Sequence, residues 1–154
     1  MILVHGTFGA QVNQLKGGPG GVDVSVARSI TVNGETKTLS LDAGVKRFGG
    51  DDVALNIGGQ ILSGSFDVDL TGGDVAVEIS DARFALGDGS RDYIEITNGT
   101  GNILINAAGL AATVSGDVVV DIPGVEITTS LELEINQTGA PVPALGLDAG
   151  NYVR

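Results

Sequence analysis

The segment Gly87-Asp88-Gly89-Ser90-Arg91-Asp92 places three oxygen-bearing side chains, Asp88, Ser90 and Asp92, at alternate positions of a glycine-rich stretch. Gly49-Gly50-Asp51-Asp52 adds two adjacent carboxylates. Carboxylates and hydroxyls so spaced suit Ca²⁺, which takes about 6–8 oxygen ligands from side chains, carbonyls and water. Asp88, Ser90, Asp92, Asp51 and Asp52 are therefore the candidate metal ligands, for calcium alone, and no other cofactor is expected. The EF-hand spacing is absent, because no Glu stands at the twelfth position, and so is the Gly-Gly-x-Gly-x-Asp nonapeptide of calcium β-rolls. Asp and Gly forming ordinary turns is the competing reading.

Ile2-Leu3-Val4-His5-Gly6-Thr7-Phe8-Gly9 has the form of a strand followed by the His-Gly oxyanion loop of hydrolases. That chemistry needs a nucleophile on a Gly-x-Ser-x-Gly elbow and a second, catalytic His. The elbow is missing and His5 is the only histidine. The pairs Asp67/Asp69 and Glu132/Glu134 are spaced by two, as expected of the wet side of a strand rather than of two carboxyls facing across a glycosidase cleft. Gly17-Gly18-Pro19-Gly20-Gly21 lacks the Gly-Lys-Ser/Thr of a phosphate loop. Asn98-Gly99-Thr100 and Asn136-Gln137-Thr138 are formal glycosylation sequons. No catalytic residues are expected, and the chain is read as not an enzyme.

The residues that must position these groups are those of a β protein. With 25 Gly, 4 Pro and no Trp among 154 residues, and an apolar fraction made mainly of Val, Ile, Leu and Ala, the composition suits short aliphatic strands between glycine turns. A net charge of −11 argues against nucleic-acid or anionic-membrane partners, which need basic patches. No cysteine excludes disulfides and thiolate metal sites. No apolar run reaches the ~20 residues of a membrane helix, so no membrane insertion is expected. Met1–Gly6 lacks the features of a signal peptide, and any export signal would lie in a longer parent.

Val-Asp-Val-Ser-Val (22–26), Phe-Asp-Val-Asp-Leu (66–70), Val-Ala-Val-Glu-Ile (75–79) and Leu-Glu-Leu-Glu-Ile (131–135) alternate apolar and polar residues, the period of a half-wet antiparallel strand. The pattern predicts strands near 22–32, 36–42, 52–57, 60–70, 74–79, 82–86, 92–97, 102–106, 111–122, 125–135 and 143–147. Turns are expected at Asn33-Gly34, Thr71-Gly72-Gly73, Gly87-Asp88-Gly89, Asn98-Gly99 and Pro123-Gly124. The fold class is all-β: an elongated antiparallel repeat, either sandwich-like or a continuous ribbon, with almost no helix.

The sequence also repeats itself. Thr-Leu-Ser-Leu-Asp-Ala-Gly ends at Gly44, and Ala-Leu-Gly-Leu-Asp-Ala-Gly ends at Gly150. Aligning Pro19–Gly44 with Pro123–Gly150 brings a Pro-Gly, two strands and Leu-x-Leu-Asp-Ala-Gly into one order. A finer echo sets Leu62–Leu70 against Val114–Ile122, which predicts that Ser63-Gly64 superposes on Ser115-Gly116. On this reading residues 1–44 are the tail of a preceding unit, 45–150 one complete unit and 151–154 the start of the next, with the apolar residues Ile2, Leu3 and Val4 leaving a loose strand at the first end.

Asp51–Gln60, Phe84–Gly101, Gly109–Val125 and Leu145–Arg154 resemble the roughly hundred-residue tandem repeats of giant bacterial surface and adhesin-type proteins, most specifically in Leu86-Gly87-Asp88-Gly89, Val114-Ser115-Gly116 and Ala149-Gly150-Asn151-Tyr152-Val153-Arg154. The resemblance implies an extracellular or cell-surface, non-catalytic module that is part of a longer exported parent. Its partners would be neighbouring repeats or copies of itself, end to end, in a stalk or filament. The first copy departs from the pattern, with Val45-Lys46-Arg47-Phe48 where Asn-Tyr-Val-Arg stands in the second. The alternative is a binding module for carbohydrate or a surface ligand, assisted by calcium, for which a groove holding Tyr93 or Tyr152 beside aspartates would be the mark.

Overall fold

The computed structural model of the chain describes residues 2–57, 60–88 and 90–154. Its strands are β1 (Ile2–Val12), β2 (Lys16–Gly17), β3 (Val22–Asp23), β4 (Val26–Val32), β5 (Glu35–Leu41), β6 (Lys46–Ile57), β7 (Gln60–Asp69), β8 (Val75–Gly87), β9 (Asp92–Asn106), β10 (Gly109–Ile122), β11 (Val125–Asn136) and β12 (Tyr152–Val153). Eight of them form one antiparallel sheet in the order β1-β6-β7-β8-β9-β10-β11-β12. The pairs β2-β3 and β4-β5 are separate two-stranded excursions between β1 and β6. The helical pieces among the described residues are two three-residue 3₁₀ turns, at Thr71–Gly73 and Pro143–Leu145. The fold is all-β and elongated, as the alternation requires.

Residues directly opposite in an antiparallel pair share a face, so the register assigns every side chain to one side. One face carries Val4, Phe8, Ala10 and Val12 from β1, Phe48, Val53 and Leu55 from β6, and Leu62, Phe66 and Val68 from β7. It continues through Val77, Ile79, Phe84 and Leu86 of β8, Ile94, Ile96, Ile103 and Ile105 of β9, and Val114, Val118 and Val120 of β10. Ile127, Leu131, Leu133 and Ile135 of β11 complete it. The other face carries the charges: Arg47 with Asp67 and Asp69, Arg83 with Glu95 and Asp92, Arg154 with Glu134.

β6, β8 and β9 keep their aliphatic residues on one side only because each contains a bulge. The extra residue lies at Asp52, Asp81 and Asn98, with φ of 51°, 52° and 52°. Asp and Asn tolerate the left-handed region better than other side chains. Across each bulge the parity of the apolar positions changes, from Val77 and Ile79 to Ala82 and Phe84, and from Ile94 and Ile96 to Gly101 and Ile103. The unbulged neighbours meet the extra residue with glycine. A Cβ on Gly6 would lie 2.9 Å from Val53 Cα, one on Gly64 3.0 Å from Ala82 Cα, and one on Gly116 3.4 Å from Gly99 Cα.

The bulges and the strand order correct several expectations. The strands expected at 74–79 and 82–86 are one, β8 from Val75, as those expected at 92–97 and 102–106 are one, β9. Asn98-Gly99 is a bulge within β9, not a turn, because flanking strands pair on both sides of it. The strand expected at 143–147 is instead a 3₁₀ turn at Pro143–Leu145 enclosed by an isolated Val142–Leu147 bridge. The first residues are not loose: β1 pairs with β6 from Ile2 to Val12, leaving only its outer edge free. Asn33-Gly34 and Pro123-Gly124 do turn hairpins, while Gly89 of the Gly87–Gly89 turn lies outside the described residues. Ser63-Gly64 on β7 and Ser115-Gly116 on β10 lie three strands apart in a meander. Their strands run in opposite directions with the same face apolar, so a shift along the sheet cannot superpose them, and the shorter echo is one of strand pattern only.

Gly64 tests the crowding at a bulge. Gly64→Ala meets both an unfavourable φ of 152° and the Ala82 backbone, whereas Gly34→Ala, with φ of 82°, meets open space. The expectation is a loss of about 1–3 kcal/mol at Gly64, larger than at Gly34, measured by denaturant unfolding of the two variants; equal losses would show that the bulge contact contributes nothing.

Candidate functional site

The five residues considered for calcium fall at two separate places. Asp88 lies in the β8–β9 turn, where Oδ1 accepts from Ser90 N at 2.9 Å, Ser90 Oγ at 2.7 Å and Arg91 N at 3.0 Å, and Oδ2 accepts from the Tyr93 hydroxyl. These donors, the Tyr93 hydroxyl first among them, hold the Asp88 carboxyl well below the usual carboxylate range. Both oxygens of Asp88 are thus already engaged, Oδ1 by donors of the turn itself and Oδ2 by Tyr93 at the start of β9. Asp92 faces Arg83 Nη2 at 3.0 Å rather than the turn. Asp51 and Asp52 sit in the β6 bulge, where Asp52 N donates to Ser65 Oγ at 3.1 Å. The structure therefore does not gather Asp88, Ser90, Asp92, Asp51 and Asp52 into one cage, and among the described residues no group of three or more His, Asp or Glu is positioned to hold a metal.

The other chemistry-bearing residues are structural in the same sense. His5 stands on β1 opposite Ala54, so Val4-His5-Gly6 is strand, not loop. Tyr93 is tied to Asp88, and the Tyr152 ring lies beneath the Arg154 guanidinium, 4.8 Å from its centroid. Asn98 Nδ2 donates to Asp117 Oδ2 at 2.8 Å.

Sequence reasoning missed two residues that the structure makes central. Asn13 and Asn136 are the buried polar side chains among the described residues. Asn136 ends β11, and its Nδ2 donates to Ala140 O at 2.8 Å and Asp148 O at 2.7 Å, while Oδ1 accepts from Thr138 N at 2.9 Å. Asn13 follows β1, and its Nδ2 donates to Val24 O at 2.7 Å and Asp42 O at 2.8 Å, while Oδ1 accepts from Leu15 N at 3.1 Å. Each asparagine thus fastens the chain that leaves its strand to the Asp-Ala-Gly segment that returns to it. The full burial of Asn136 leaves its sequon no room for a glycan.

The two clamps correspond residue by residue. Gln11 lies opposite Arg47, and Glu134 exchanges backbone hydrogen bonds with Arg154 at 2.7 and 2.9 Å. Val12 faces Lys46 as Ile135 faces Val153, and Asn13 N donates to Val45 O where Asn136 pairs with Tyr152. One residue, Asn151, is therefore extra after the second Asp-Ala-Gly, and Arg47 matches Arg154. The equivalent pairs also show that β11 corresponds to β1 and not to the segment after Pro19, so the Pro-Gly end of the sequence alignment does not hold. The signal was present as Val-Asn-Gln at 12–14 and Ile-Asn-Gln at 135–137, obscured by the β4–β5 hairpin inserted in the first loop.

After Asn136 the loop folds back over the polar face, where Val142, Leu145 and Leu147 pack on Ala111 and Leu104. In the first loop Leu15, Val22, Ile30, Val32 and Leu39 remain more than half exposed. Compared with family models, with curated proteins and with solved structures, the chain matches none.

Two measurements test this geometry. Asn13→Ala and Asn136→Ala each strand two carbonyls and an amide, and each should lower stability by roughly 2 kcal/mol or more in denaturant unfolding; a neutral effect at either would remove the clamp. Acid titration tests the polar face. Hydrogen bonds from Thr71 and then Arg47 lower the Asp69 carboxyl to about 2. A depressed folded pKa contributes stability above the unfolded value near 4 that is lost as pH falls towards 2. The thermal midpoint of the wild-type chain should fall over that window, and Asp69→Asn should flatten the fall.

Proposed function

We propose that the chain is a non-catalytic structural repeat module of a long extracellular bacterial protein, a stalk or filament building block of the adhesin type. The observation that carries this reading is the recurrence of the asparagine clamp at both ends of one sheet. From Val45 to Gly150 the chain runs through β6–β11 and one clamp loop, which makes one complete unit. Residues 1–44 supply a β11-like strand and its clamp loop, the tail of a preceding unit, and residues 151–154 open the next.

The exposed apolar residues of the first loop fit the same scheme. In the second loop Val142, Leu145 and Leu147 lie on β9 and β10, the strands that precede β11 in the sheet. The strands that would precede β1 lie beyond its open edge, and the first-loop residues Leu15 and Val22, with Ile30 and Leu39 of the inserted hairpin, are left exposed. An array supplies those strands, and each unit then closes its neighbour's edge and covers its neighbour's loop, with length growing by copy number.

Separate copies also carry two open edges that can meet end to end. β1 and β11 run in the same direction, so joining two copies head to tail along one sheet makes a parallel pair, whereas a chain continuing past Arg154 makes an antiparallel one. The covalent array is the stronger of the two associations. The carbohydrate reading is not preferred: Tyr93 stands beside Asp88, but the two are bonded to each other, and the Tyr152 ring is covered by Arg154.

The test is a concatemer in which residues 48–154 follow directly after Arg154, the register set by the match of Arg154 to Arg47. The expected outcome is one cooperative transition at a higher midpoint than the single chain, at about 2–4 °C per kcal/mol of new interface, and a longer maximum dimension by small-angle scattering. Two independent transitions at the original midpoint would overturn the repeat reading.

A further inference from the structure

The apolar face of the sheet is uncovered. Val4, Phe8, Phe48, Leu62, Ile127 and Leu131, spread over β1, β6, β7 and β11, are each exposed by more than two-fifths. Outside the bulges, the paired positions of this face carry, among the described residues, one charge, Lys46 at the end of β6. A compact monomer of 15.5 kDa exposes about 7,200 Å², whereas this chain exposes 9959 Å². The excess comes from the uncovered sheet face, which has no second layer against which to bury itself, together with the exposed β3 and β4–β5 excursions.

We propose that this face is an interface for a second copy of the same sheet, the two stacked apolar side to apolar side as a two-layer sandwich. Three observations select this occupant. The apolar face accounts for only part of the excess of roughly 2,800 Å², yet a third of that excess already exceeds the ~800 Å² per partner that a stable interface buries. The face is almost free of charge over seven adjacent strands, and the surface that matches it in extent, twist and polarity is another such face. The net charge of −11 is carried by the opposite face, the bulges and the loops. Stacking apolar faces inward sets the two charged faces roughly 20 Å apart, from a sheet spacing of ~10 Å plus outward side chains, beyond the screening length of ~8 Å at physiological salt. An anionic lipid surface would meet the same charge as repulsion. The proposal does not rest on the repeat reading, since the edges use backbone groups of β1 and β11 and the face uses side chains.

Leu62 and Leu131 border an open apolar depression of about 220 Å³ in this face, with Ile79, Phe84, Ile96 and Val114 between them. Sedimentation equilibrium of the full chain should show a dimer at micromolar concentration. The double variant Leu62→Glu, Leu131→Glu should raise the dissociation constant by roughly a hundredfold or more, with an unchanged strand spectrum in circular dichroism, while Thr128→Glu on the opposite face should leave the dimer intact. Because the chain has no cysteine, Leu131→Cys gives a clean second measurement: a short bifunctional maleimide should link two copies through Leu131→Cys and not through Thr128→Cys. A wild-type chain monomeric at about 100 µM, equal crosslinking from both faces, a dimer unaffected by the double variant, or flotation with neutral phosphatidylcholine vesicles in place of self-association would each overturn the proposal.

Discussion

The sheet depends on one steric exchange: an extra residue in one strand is accommodated by a missing side chain in the next. Asp52, Asp81 and Asn98 each add a residue in left-handed conformation, and Gly6, Gly64 and Gly116 give up a Cβ that would crowd the bulged strand, most severely at Gly6 and least at Gly116. Remove the bulges and the parity of β6, β8 and β9 slips halfway along their length. Val53, Ala82 and Phe84 would then turn to the polar face, and half of each strand would set aliphatic side chains among the arginine–carboxylate pairs. Bulges also increase local twist, which allows strands as long as the fifteen residues of β9 to remain in one sheet.

A sheet of this kind has a particular problem wherever the chain must leave it and come back. The departing segment loses its ladder hydrogen bonds, and polar backbone groups buried without partners cost about as much as a lost hydrogen bond. Asn13 and Asn136 solve it in the same way, with one amide that donates twice and accepts at least once. Asparagine is suited to this because its side chain carries both donors and acceptors without a charge; aspartate would face two carbonyls with a third acceptor. The clamp tolerates very different loops, a β-hairpin in one case and a 3₁₀ turn in the other, since it fixes only the exit strand and the returning Asp-Ala-Gly.

The acidic turn that looked most like a binding site shows how local sequence can be read in two ways. Asp88, Ser90 and Asp92 have the spacing of oxygen ligands, but Asp88 spends its oxygens on the amides and hydroxyls of its own turn, and Asp92 turns to Arg83. The distinction lies in where Ser90 N, Arg91 N and the Tyr93 hydroxyl point, which spacing does not encode. Asn98-Gly99 was misleading for a related reason. An αL-tolerant residue followed by glycine serves a hairpin turn and a bulge alike, and only strands pairing on both sides of it distinguish the two.

Alternation in Phe-Asp-Val-Asp-Leu and Leu-Glu-Leu-Glu-Ile by itself determined that the chain is all-β and antiparallel with one apolar face, because a period of two leaves no other way to sort these side chains. The turns at Asn33-Gly34 and Pro123-Gly124 were legible for the same local reason. The shift of parity between Ile79 and Ala82 was also written in the sequence, as was the pair of Asn-Gln dipeptides. Their meaning was not, since a parity shift fits a turn between two strands as well as a bulge within one. The tertiary structure alone decided that β1 joins β6 across a 33-residue excursion, that Asn13 and Asn136 are buried and equivalent, and that Ser63-Gly64 and Ser115-Gly116 are not. Each of these is a non-local pairing, fixed by which strand lies beside which, and a linear pattern of residues carries the face of a strand but not the identity of its neighbour.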